Sequence, residues 1–249
     1  MPARLNIGGK TNSMAPPGEV MAGNKVGTID NWVRVSTALV SVSDKSGLDA
    51  LVRELLRVNP SLTLLSTGGT FTFLQQALGA SAGGTLRQVS EYTGQPEMQG
   101  GLVKTLDFRI YLGLLSETYN PAHAKDLERT GASAIDLVVV NLYPFESTVA
   151  QGGCTLEDAR ANIDIGGPCM VRAAAKNFHR VAVLADPADY PAVREELSAH
   201  DGKLCLATRW RLAQKAFQLI AGYDAAIAHY LGAAAGPQSP GLYEIRDGR

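Results

Sequence analysis

From Ser36 onward two hydrophobic rhythms alternate along the chain. "TALVSVS" (37–43) and "LTLLS" (62–66) are strand-like, whereas "GLDALVRELLRV" (47–58) and "GTFTFLQQALG" (69–79) repeat apolar residues at helical spacing. Such alternation predicts a parallel sheet flanked by helices. Two later runs, "DLVVVNLY" (136–143) and "RVAVLA" (180–185), are valine-rich and bounded by polar residues, the pattern of central strands buried on both faces. Beyond Ala185 the pattern is helical: "DYPAVREELSAH", then a longer segment from about Ala207 to Leu231 in which Leu212, Ala216, Leu219 and Tyr223 line one face. The expected fold is α/β, a three-layer Rossmann-like parallel sheet with helices on both faces and a helical C-terminal part.

The flanks read differently. Residues 1–35 mix Gly, Pro, Asn and Lys without periodicity and are expected to be a flexible arm, and residues 232–249 return to loop composition as a tail. One domain, 36–231, lies between them. Met14 and Met21 leave open a natural start further in.

Composition narrows the function classes. With 45% hydrophobic residues in 249, the chain can bury a substantial core. Lys and Arg number 23 against 24 Asp and Glu, so no overall positive field exists to gather nucleic acid or an anionic membrane surface, and any anionic ligand must be held locally. Cys154, Cys169 and Cys205 are widely separated and odd in number, which indicates neither a disulfide framework nor a zinc site. No apolar run approaches the ~20 residues that span a bilayer, and the N-terminus lacks the apolar core of a signal peptide. A cytoplasmic protein is expected.

Ligands of open parallel sheets bind beyond the carboxyl ends of the strands. Two turns there suit a phosphate. "SVSDKSG" (41–47) offers hydroxyls, Lys45 and a helix start, and "STGGT" (66–70) offers hydroxyls and flexible backbone amides. Ser or Asp before a helix is also an ordinary cap, so each turn has a purely structural reading. Lys104, in "EYTGQPEMQGGLVKTLDFRIYLG" (91–113), is a pocket group or a surface charge with its stem packed. Asn141 and Tyr143, in "NLYPF" (141–145), stand at a strand end where a site recruits hydrogen-bonding groups, or else Tyr143 is a core tyrosine. In "IDIGGPCMVRAAAKN" (163–177) Asp164 and Lys176 fit helix-end charges, while Gly166 and Gly167 also allow a ligand close to the backbone.

In order, "SVSDKSG", "STGGT", "VSEYTGQPEMQGGLVKTL", "NLYPF", "IDIGGPCMVRAAAKN" and "RVAVLADPADY" resemble the inosine monophosphate (IMP) cyclohydrolase domain of the bifunctional purine-biosynthesis enzyme, over roughly Ala38 to Leu231. The resemblance implies a methylglyoxal-synthase-like fold and closure of 5-formamidoimidazole-4-carboxamide ribonucleotide to IMP with loss of water. It implies no cofactor or metal and a homodimer; because the chain stops soon after a linker to the formyltransferase domain would begin, a freestanding cyclohydrolase is expected, with a separate formyltransferase as a candidate partner. By the same resemblance Ser43, Lys45, Ser46, Thr67, Gly68, Gly69 and Thr70 hold the phosphate, while Thr105, Asn141, Ile165, Gly166 and Gly167 contact the nucleotide. Lys104, Tyr143, Asp164 and Lys176 surround the reacting groups. Twelve residues of straight helix would separate Asp164 from Lys176 by ~18 Å, so either the chain bends after Asp164 or the lysine completes a pocket across a dimer interface.

One segment departs from the family pattern. Leu102 stands for an arginine, Asp107 and Phe108 for His-Pro, Tyr111 for a second histidine and Leu112 for a glycine, whereas Val103, Lys104, Thr105 and Leu106 persist. None of the histidines, His123, His179, His200 or His229, falls at the missing places. Arg109 is the expected substitute cation. Methylglyoxal synthase shares this kind of fold, but its aspartate and histidine pattern has no counterpart here. A catalytically inactive nucleotide-binding or scaffold domain, docking onto a separate formyltransferase, is the alternative reading.

Overall fold

The computed structural model describes residues 25–95, 104–234, 236 and 242–246. Chain order is β1 (Trp32–Arg34), β2 (Thr37–Val42), α1 (Leu48–Val58), β3 (Thr63–Ser66), α2 (Gly68–Leu78), β4 (Leu86–Gln88), α3 (Val89–Thr93), α4 (Phe108–Leu115), α5 (Pro121–Thr130), β5 (Leu137–Asn141), α6 (Phe145–Val149), α7 (Leu156–Ala161), α8 (Gly166–Lys176), β6 (Ala182–Leu184), α9 (Tyr190–Ala199), β7 (Lys203–Cys205) and α10 (Leu206–Ala233).

Five strands form a parallel sheet in the order β4-β3-β2-β5-β6. The side-chain period of two splits each strand between two cores. Ala38, Val40 and Val42 of β2 join Leu64, Leu137, Val139, Ala182 and Leu184 on one face, covered by α1, α2 and α9. Leu39, Leu65, Val138, Val140 and Val183 point the other way, under α4, α8 and α10. The three-layer expectation is met, and the strands read as continuous apolar runs because both faces are covered. The chain reverses its direction across the sheet between β2 and β5, the switch point where ligands of such sheets bind.

Part of the stretch expected to be a flexible arm is a strand, and residues 1–24 of that stretch lie outside the described residues. Trp32–Arg34, inside the stretch read as loop, pairs antiparallel with Lys203–Cys205 in a two-stranded ribbon. Arg209, 1% exposed, fixes this junction by donating to the carbonyls of Asp30, Asn31, Phe178, His179 and Leu204. Close to this junction Arg180 and Asp136 form a buried pair at 2.9 Å, and the Asp136 carboxylate also accepts from the Ser36 and Thr37 amides. Burial drives the Asp136 carboxyl up and the Arg180 guanidinium down from their ordinary values, against their mutual attraction.

Candidate active site

At the switch point β2 ends and the turn 43–47 begins. Asn141, the last residue of β5, crosses to it: its Oδ1 accepts from the Ser43 and Asp44 amides at 2.7 and 2.9 Å, and its Nδ2 donates to the Asp44 carbonyl at 2.7 Å. These bonds use the asparagine to shape the turn, so its placement is as a scaffold on the cavity wall. Asp44 closes the turn from the other side by accepting from the Ser46 amide and hydroxyl. Gly47, at φ +70°, then adopts the left-handed conformation that lets the chain enter α1.

Next along the sheet, Thr67 precedes α2 without capping it through its side chain. Its hydroxyl pairs with Ser41 Oγ at 2.8 Å instead, leaving the leading amides of α2 facing the cavity. Gly68 sits at φ +43°, and a Cβ there would stand 3.3 Å from Lys104 Nζ. An uncapped helix start under an ammonium group has the charge and the free donors that suit a phosphate. Thr70 lines the cavity, and its hydroxyl both accepts from and donates to the Val42 backbone, binding α2 to β2.

The opposite wall is the approach to α8. Asp164 accepts from the Gly167 amide at 2.9 Å through Oδ1 and so caps the helix, while its own amide donates to the Tyr223 hydroxyl at 2.8 Å. A Cβ on Gly167 would overlap Asp164 Oδ2, and one on Gly166 would lie 2.8 Å from Thr105 Oγ1, so both glycines are required by close approach. Burial raises the Asp164 carboxyl from its ordinary value despite the opposing amide bonds from Gly167 and Gly166.

Between these walls lies a cavity of about 500 Å³, the scale of a mononucleotide-sized ligand. It is lined by Ser43, Lys45, Thr67, Gly68, Gly69, Thr70, Lys104, Thr105, Asn141, Tyr143, Asp164, Ile165, Gly166 and Gly167, together with Ser41, Leu106, Asn162 and Met170, among others. Tyr143 is 57% exposed, which excludes the core-tyrosine reading. Ser46 is spent on Asp44 and lies outside the lining. Lys176 is exposed at the far end of α8, eleven residues long, and does not reach this chain's cavity. The helix is continuous to Lys176, so a bend within it does not bring the lysine back.

The departing segment is mostly structural. Asp107 caps α4 by accepting from the Arg109 amide at 2.7 Å, and Tyr111 packs against Cys169. Arg109, expected to reach the nucleotide, donates through Nη1 to the Tyr92 carbonyl and lies over the Phe108 ring, outside the cavity. Leu102 lies outside the described residues. Sequence reasoning placed Tyr223 on the core face of a helix and missed its bond to Asp164; no local motif signals a contact 59 residues away. Among the described residues no group of three or more His, Cys, Asp or Glu could hold a metal ion.

The AICARFT/IMPCHase bienzyme family profile matches residues 174–246, and the MGS-like domain profile matches residues 47–169. The bifunctional purine biosynthesis protein PurH of Magnetococcus marinus is 46% identical over 210 residues, covering 84% of this chain and 38% of that protein. PurH of Neisseria meningitidis is 47% identical over 197 residues, covering 79% of this chain and 36% of its own length. The chain thus spans a little over a third of the length of these curated relatives. The crystal structure of ForH superposes with a TM-score of 0.70 at 33% identity, covering 80% of this chain and 98% of that one.

Proposed function

This chain belongs to the AICARFT/IMPCHase bienzyme family and carries its MGS-like domain, and on that premise we propose that it is an IMP cyclohydrolase of de novo purine biosynthesis. The substrate is 5-formamidoimidazole-4-carboxamide ribonucleotide. One observation carries the reading: a carboxylate raised by burial, Asp164, shares a cavity with Lys104 and Tyr143, opposite an uncapped helix start suited to the nucleotide phosphate.

The reaction joins the carboxamide nitrogen to the formyl carbon. That nitrogen gives up one proton, the formyl oxygen gains one to become a hydroxyl, and the hydroxyl then leaves as water with the proton of the formamido nitrogen. Because the closure is intramolecular, holding the two groups in line supplies up to ~7–11 kcal/mol of the barrier reduction. Asp164, on the cavity wall, takes the carboxamide proton, and a carboxyl raised by burial is a stronger base than an ordinary one. Lys104 and Tyr143 are donors for the oxygen as it becomes charged. Lys45 and the α2 amides bind the phosphate.

The segment that departs from the family pattern does not favour an inactive binding domain, since Asp107, Phe108, Tyr111 and Leu112 stand outside the cavity lining while Lys104, Thr105 and Leu106 form part of it. An ultraviolet assay of ring closure with purified protein tests the reading: turnover supports it, and IMP binding without turnover replaces it with the nucleotide-binding alternative.

The reading extends to a homodimer in the cytoplasm. Support for the dimer is the exposed position of Lys176 on α8, beside α10, where Trp210 is 47% and Phe217 42% exposed. Lys176 would then enter the partner's cavity. Mixing Asp164→Asn with Lys176→Met restores part of the activity if each site draws on both chains; a monomer with full activity sinks the idea. No helix among the described residues is long and apolar enough to cross a membrane.

A further inference from the structure

We infer that Tyr223 of α10 is a positioning residue for Asp164. The inference rests on the cyclohydrolase reading and adds to it a residue that touches no substrate. Asp164 lies in the short non-helical link between α7 and α8, where regular backbone hydrogen bonding cannot fix it. Its bonds run both ways. The carboxylate accepts from the Gly167 and Gly166 amides, and the Asp164 amide donates to the Tyr223 hydroxyl at 2.8 Å. Without the bond to Tyr223 the backbone of the link is free to turn about the carboxylate's contacts and carry the carboxyl out of its place in the cavity.

Tyr223 is itself held from behind. The Phe145 ring, 1% exposed, meets it edge-on at 6.2 Å and 70°, and meets Tyr230, seven residues further along α10, at 5.8 Å and 88°. Phe145 follows Tyr143 by two residues, and its amide donates to the Tyr143 carbonyl at 2.8 Å. One aromatic cluster between α6 and α10 therefore stands behind both walls of the reacting end, bonded to Asp164 through the Tyr223 hydroxyl and to Tyr143 through the Phe145 amide. A helix of 28 residues anchored along the sheet makes a stiffer reference than the links it holds. A purely structural tyrosine would show its effect in folding, whereas a positioning one shows it in turnover.

Tyr223→Phe keeps the ring and deletes the hydroxyl. Turnover should fall about tenfold or more, as expected when a reacting group drifts by a fraction of an ångström, with KM held within about twofold. The thermal midpoint should stay near the parent's. Exchange of the Asp164 amide hydrogen, followed by NMR without substrate, should quicken about tenfold as its acceptor is lost. An Asp164 amide that exchanges as slowly as in the parent overturns the proposal, as does a variant with parental turnover or one whose lost turnover only tracks a lowered midpoint. Failure of the parent itself to close the ring would sink the cyclohydrolase reading instead, and the amide exchange would still decide whether Tyr223 fixes Asp164.

Discussion

Gly167→Ala pits two opposing effects against each other. In a helix, replacing Gly by Ala ordinarily stabilises by ~0.8–1 kcal/mol. At Gly167 the added methyl would overlap Asp164 Oδ2 and lie 2.9 Å from Leu142 Cδ2, on a residue that is itself buried. Overpacking of this kind costs ~1–3 kcal/mol, so the net change is a destabilisation of up to ~2 kcal/mol. The catalytic effect should be larger, because the group that must yield is the carboxylate: a shift of about 1 Å costs ~100-fold in rate, or ~2.7 kcal/mol. Gly222→Ala in α10 is the control, since a Cβ there meets nothing within 4 Å. It should gain up to ~1 kcal/mol of stability with turnover unchanged. Chemical denaturation and steady-state ring closure read the two effects separately. A Gly167→Ala variant as stable as the Gly222→Ala control and as active as the parent would refute the close-approach argument.

Three further outcomes are expected. Asp164→Asn should abolish most turnover yet raise the thermal midpoint at pH 7: a carboxyl raised in the folded state favours folding at acid pH and loses that contribution as pH rises through its folded value, so the gain should vanish below about pH 4; an equal midpoint difference at both pH values would contradict this. Asp136→Leu should destabilise by ~3–5 kcal/mol in urea denaturation, because Arg180 would remain buried without its counter-charge, and a loss under ~1 kcal/mol would show the pair to be dispensable. Gly68→Ala, forced into a left-handed conformation at ~1–2 kcal/mol and pressed against Lys104, should weaken IMP binding by about tenfold or more in calorimetry, whereas parental affinity would remove the phosphate from the α2 start.

The central strands were legible because burial on both faces writes itself as unbroken valine and leucine, as in "LVVVN" of β5. β1 and β7 were not. Each has three residues, and each finds its partner about 170 positions away, so neither carries a period of its own. The same distance problem hid Tyr223, whose spacing on α10 marked it as core while its hydroxyl serves a link 59 residues earlier. Motif order brought Ser43, Lys104, Tyr143 and Asp164 to one cavity, since Ser43 and Tyr143 stand just beyond the carboxyl ends of β2 and β5 and Asp164 just before α8, with Lys104 facing the α2 start. Where motif reasoning went astray, it assigned to the ligand side chains that the fold uses itself: Ser46 on Asp44, Arg109 on the Tyr92 carbonyl. A polar residue beside a pocket is claimed first by the nearest unsatisfied backbone group, and only the three-dimensional structure shows which. Lys176 is the sharpest case, in line with its motif and yet at the wrong end of α8 for its own cavity.

Ring closure by the purified protein tests the central claim most directly. With 5-formamidoimidazole-4-carboxamide ribonucleotide as the sole substrate, the ultraviolet absorbance of the purine should appear at a rate proportional to protein concentration, and should be nearly lost in Asp164→Asn while IMP still binds that variant. Tight IMP binding by the parent with no purine formed above the uncatalysed rate would contradict the account.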